Sequence, residues 1–140
     1  MTIRLMRPVR GISVRSTKTP GNCAPDRGYV EVDFEPLAEG ELCSVEFAPG
    51  LCAEQEFLTA LEEGALIELA GAGVHDPGGR RGKPVLARMV VRGVEQHEVD
   101  SCAAVFRGLG VLAVREMLDC VAEGRVAKPV VTRVEIGYRP

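Results

Sequence analysis

The chain has 140 residues, a size that suits one domain spanning 1–140 with a single moderate core, and its hydrophobic fraction of 46% is ordinary for a globular protein. Its formal net charge of −3 makes it a poor general binder of nucleic acid, because affinity for phosphate comes largely from counterions displaced by Lys and Arg. The charge is unevenly spread: residues 1–19 hold five basic groups and no acid, while residues 20–70 hold twelve acids against the single base Arg27. Any RNA contact is therefore expected to be local.

No apolar run approaches the roughly 20 residues of a membrane-spanning helix, and the opening Met1 to Pro8 is too polar for the apolar stretch of a signal peptide. No membrane partner and a cytoplasmic location are the expectations. Cys23, Cys43, Cys52, Cys102 and Cys120 are odd in number and scattered, without a C-x-x-C pair, which suits reduced thiols better than a disulfide framework. With only His75 and His97 to join them, neither a metal site nor a cofactor is expected.

Residues 3–16 alternate loosely through Ile3, Leu5, Val9, Ile12 and Val14 with Pro8 as an interruption, which predicts a first strand near a sheet edge. The turn formers from Thr19 to Asp26 then predict a loop. From Tyr29 to Glu35 the alternation is clean, with Val30, Val32 and Phe34 on one face, so this is a half-buried strand. A third, short strand is predicted over Leu42 to Phe47, stopped by Pro49-Gly50.

Between about Ala53 and Ala70 the period changes to three and four through Leu58, Leu61, Ala65 and Leu69, which predicts an amphipathic helix. Gly64 inside it would mark a close approach to the sheet, and Gly71 and Gly73 would end it. Residues Pro84 to Arg92 predict a fourth strand, with Gly93 to Asp100 turning the chain. A second helix follows, with Asp100 or Ser101 as its N-cap, a buried stripe of Phe106, Leu109, Gly110, Ala113, Met117 and Cys120, and Gly124 at its end. Val130 to Tyr138 then alternate through a last strand. The order β-β-β-α-β-α-β predicts an α+β fold with one mixed four- to five-stranded sheet and both helices on one face.

Few residues suggest chemistry. Gly78-Gly79-Arg80-Arg81-Gly82-Lys83-Pro84 resembles a phosphate loop, yet Pro77 and Pro84 stand where the Walker pattern needs Gly and Ser or Thr, so no nucleotide is expected. Arg80, Arg81 and Lys83 form instead a secondary basic loop. A strand of about eight residues spans roughly 25 Å and should hold that loop away from His97. A nucleophile-and-base arrangement of His97, Ser101 and Cys102 is disfavoured, since Asp100 and Ser101 are explained as caps and Cys102 lies on the apolar side of its helix. No catalytic residue is assigned, and no enzyme is expected. The glutamates from Glu54 to Glu68 read as a solvated helix face.

Four stretches together suggest a family: Gly82-Lys83-Pro84-Val85, His97-Glu98-Val99-Asp100-Ser101, Ala104-Val105-Phe106, and Ala113-Val114-Arg115-Glu116. With Arg27-Gly28-Tyr29-Val30 to Leu37 and Lys128-Pro129-Val130, they make the whole chain resemble domain IV of translation elongation factor G. The resemblance implies a ribosomal-protein-like fold with a left-handed β-α-β crossover, whose two tip loops, here 17–28 and 93–100, reach the decoding region of the ribosome. It further implies that His97, Arg27, Lys18 and Gln96 contact RNA. The family's GTPase and remaining domains are not among these residues, so the expectation is a free-standing, non-catalytic module without GTPase activity. The alternative is a protein-interaction or regulatory module that keeps the fold, homodimeric through an exposed sheet edge, because Gly21 to Gly28 replace the family's Gly-rich loop with one containing Asp26.

Overall fold

Strict alternation in one strand fixes the plan of the molecule. Val30, Val32 and Phe34 have no solvent exposure, while Glu31 between them is exposed, so this strand divides a packed face from an open one. The computed structural model describes residues 2–17, 27–71, 83–97 and 101–132. In chain order the elements are β1 (Ile3–Arg4), β2 (Val9–Ser16), β3 (Gly28–Glu35), β4 (Ser44–Phe47), α1 (Gln55–Leu69), β5 (Val85–Leu86), β6 (Arg88–Gln96), α2 (Ala103–Glu123) and β7 (Val130–Thr132).

Five strands form one mixed sheet in the order β4-β6-β3-β2-β7. The central β3 runs antiparallel to both β2 and β6, whereas the outer strands β4 and β7 lie parallel to β6 and β2 respectively. Parallel neighbours need a crossover, and α1 supplies the one between β4 and β6. The two residues of β1 pair with β5 in a separate parallel ladder. The α+β class, the mixed sheet and the order of the longer elements thus match the sequence expectation. The predicted first strand is divided at Pro8, with β2 one position in from the sheet edge. Arg80, Arg81, Lys18 and the stretch after Thr132 lie outside the described residues.

Both helices cover the apolar face. Ile12 and Val14 of β2, Val30, Val32 and Phe34 of β3, and Met89 and Val91 of β6 join Phe57, Leu61 and Leu69 of α1 and Phe106, Leu109 and Met117 of α2 in one core. Each such side chain, fully buried, contributes about 1.5–3 kcal/mol relative to exposure. The rings of Phe57 and Phe106 stack across the helix pair with centroids 5.0 Å apart. All six residues of the predicted α2 stripe are buried.

Gly64 does mark a close approach, but to the other helix rather than to the sheet. A Cβ there would overlap the Arg107 carbonyl of α2, and one on Gly110 would overlap the Leu61 carbonyl of α1. The two backbones therefore touch at these glycines. The start of α2 also differs from expectation. Its N-cap is Cys102, in extended conformation and without a side-chain capping bond, because the Ser101 hydroxyl is engaged elsewhere. Its end is as predicted, with Gly124 left-handed at φ 63° and the Arg125 N–H bonded to the Cys120 carbonyl.

Beyond α2 the chain is tied down by a buried carboxylate. Glu116 accepts from Arg125 Nη1 at 2.7 Å and from the Lys128 N–H at 2.9 Å, and the Cys120 thiol donates to it at 3.5 Å. The Arg125 hydrogen bond, then the Lys128 N–H, outweigh burial and hold the Glu116 carboxyl down at about 2. Burial pushes the Cys120 thiol up, with Glu116 adding to it.

Candidate functional site

The face of the sheet turned away from the helices is charged. Along it Arg10 pairs with Glu35, Arg92 with Asp33 and Arg88 with Glu46, all at 2.8–2.9 Å. Asp33 also accepts the Gly11 N–H at the irregularity in the β2–β3 ladder, which fixes it structurally. These pairs balance the middle and one end of the face. The opposite end differs.

There β2 finishes, β3 begins and β6 finishes, side by side. Ladder partners Ser16 and Gly28, and Gly28 and Gln96, bring Thr17, Arg27 and His97 to neighbouring positions just beyond the last pairs. One step back, Arg15, Tyr29 and Glu95 are direct partners across the three strands. Together they line a concavity of about 320 Å³. Among the described residues that line it are Arg15, Arg27, His97 and Glu95. Arg27 and His97 are both exposed. Burial, then the hydrogen bond that the phenol donates to the Glu31 carboxylate, push Tyr29 above its ordinary range.

Ser101 builds this end of the molecule. Its hydroxyl accepts the His97 N–H at 2.7 Å and donates to the Arg27 carbonyl at 2.6 Å, while its own N–H reaches the His97 carbonyl at 3.1 Å. One side chain thus pins the histidine to the entrance of β3, holding together two residues 70 positions apart in sequence. Gln96 serves the helix side. Its side-chain oxygen accepts the Glu54 N–H at 2.7 Å, where α1 starts without a side-chain cap of its own.

Of the residues expected from sequence to act together, the fold brings Arg27, Gln96 and His97 to one place. Lys83 lies apart: it precedes β5 and the nine-residue β6, which spans roughly 30 Å before His97 is reached. Cys102 packs against the core and does not line the concavity. Sequence reasoning misses Arg15 and Tyr29, although the strand alternation that sets Tyr29 opposite Val30 already places it on the open face.

No family model and no curated protein matches the chain. Solved structures do match. The fold is shared with a protein of Thermus thermophilus. That crystal structure superimposes with a TM-score of 0.56 and 25% identity over 79% of this chain, which spans 15% of the other protein's length. Among the described residues no helix is long and apolar enough to cross a membrane, and no group of three or more His, Cys, Asp or Glu side chains could hold a metal ion.

Proposed function

We propose that the chain is an elongation factor G domain IV-like module that binds RNA, on the ribosome, through the end of the sheet carrying Arg27 and His97, without catalysing a reaction. The observation that carries this reading is the concavity itself. Arg15, Arg27 and His97 meet there at the ends of three neighbouring strands, and the side chains of Arg27 and His97 are exposed. Two exposed guanidinium side chains side by side offer phosphate a local contact on an otherwise acidic chain. The same end bears Arg27 and His97, two of the residues through which the sequence resembles that family.

Sedimentation with ribosomal subunits tests this. The chain should travel with subunits at low salt and dissociate as salt rises, and a double substitution, Arg27→Ala with His97→Ala, should abolish the association. Persistent absence from subunits at low salt would overturn the proposal. A stable dimer indifferent to RNA and to His97→Ala would favour a protein-interaction module in its place.

A further inference from the structure

Arg15 is held by two partners. Its guanidinium carbon lies over the Tyr29 ring, 4.2 Å from the centroid, and Nη1 reaches the Glu95 carboxylate at 3.7 Å. Its side chain nevertheless keeps 48% of its exposure. A planar cation fixed against a ring and open to solvent elsewhere is a stacking platform, since bases stack on guanidinium planes whatever their sequence. The concavity in front of it is small, near the lower end of the roughly 300–1,000 Å³ usual for small-ligand sites, which suits one nucleotide unit. Bases inside a duplex have both faces covered by their neighbours and cannot reach such a platform.

The geometry points to a pocket for one unstacked nucleotide of single-stranded RNA, its base against Arg15 and its phosphate toward Arg27; this rests on the RNA reading above and specifies the form of RNA that the site takes. Tyr29 acts by positioning Arg15, and Glu95 limits how far the guanidinium swings.

Fluorescence anisotropy with a short labelled oligouridylate, and with the same strand annealed to oligoadenylate, tests it on the whole chain. The single strand should bind at least about tenfold more tightly than the duplex. Arg15→Ala and Tyr29→Leu should each weaken single-strand binding about tenfold, and Tyr29→Phe, which keeps the ring, should retain it. Arg15→Lys is decisive because it keeps the charge and removes the plane: it should lose affinity as Arg15→Ala does, and wild-type affinity in Arg15→Lys overturns the pocket. Arg15 is half exposed, so these two variants report on binding even where Tyr29→Leu unfolds. Equal binding of strand and duplex, with the Arg15 variants neutral, overturns the pocket while leaving RNA binding standing. Binding of neither overturns both.

Discussion

Ser101 and Glu116 show how single polar side chains position backbone in this molecule. Sequence reasoning reads Ser101 as a helix cap because it precedes an apolar-periodic run, and the same hydroxyl is instead spent on His97 and Arg27. The choice between those partners depends on β3 arriving alongside, a contact across 74 residues that no local pattern encodes. Ser101→Ala should therefore leave α2 intact and loosen the site. We expect a loss of about 1–2 kcal/mol in urea unfolding, together with weaker RNA binding. Glu116 is legible only as part of a family-like stretch. On the helix it falls among apolar neighbours, and nothing in the spacing shows that Arg125 and the Lys128 N–H fold back on it. Glu116→Gln should cost about 3 kcal/mol, since it removes the charge that strengthens the bonds from Arg125 and the Lys128 N–H, while Arg125 keeps its pair with Glu123. The pH dependence has a definite sign. The native carboxyl sits at about 2 against an ordinary 4.5, so its stabilisation is complete above about pH 5 and is lost as pH falls toward 2. Acid titration of stability should show the gap between wild type and Glu116→Gln closing over that window, and a constant gap would count against the assignment.

At the level of elements, periodicity is most informative where a face is buried. The α2 stripe, the alternation of β3 and the half-buried pattern of β4, with Leu42 exposed and Cys43, Val45 and Phe47 packed on the core, follow directly from the spacing of apolar residues. Ends are less legible. The fourth strand is expected to stop at Arg92 because Gly93 reads as a turn, yet β6 continues to Gln96. Gly93 is instead the ladder partner of Glu31, at a register shift in the β3–β6 pair. Gly64 likewise signals a close approach whose partner, α2, can only be learned from the fold. The helix contact gives a sharp test. Gly110→Ala places a methyl against the Leu61 carbonyl and the Ala65 N–H, so the helices must move apart. Helix propensity favours this change by up to about 1 kcal/mol in isolation, and overpacking opposes it by up to about 3 kcal/mol. Because the obstacle is backbone and cannot rotate away, we expect net destabilisation of about 2 kcal/mol, measured by chemical denaturation.

For the whole molecule, net charge and local charge point in different directions. A chain of formal charge −3 should bind RNA weakly, with strong dependence on ionic strength. Arg27→Ala should weaken binding and lower the slope of log affinity against log salt by about 1, the signature of one lost phosphate contact. An Arg27 variant with unchanged slope would place the phosphate elsewhere. Composition requires any such contact to be local, and the assembled sheet supplies the location by aligning residues from β2, β3 and β6. Arg15 and Tyr29, remote from each other in the sequence, enter the site together only through strand pairing.

The strand order also sets how the molecule comes apart. β4, four residues long, and β7 flank the sheet as parallel edges, while β2, β3 and β6 are its eight- and nine-residue interior. A short edge opens at lower free energy than a central ladder, so amide exchange should rank β4 fast and β3 slowest. The proposed RNA site draws its row of Arg15, Tyr29 and Glu95 from the three slow strands alone. Fraying at either margin would thus leave the recognition surface formed, and partly opened molecules would remain competent to bind.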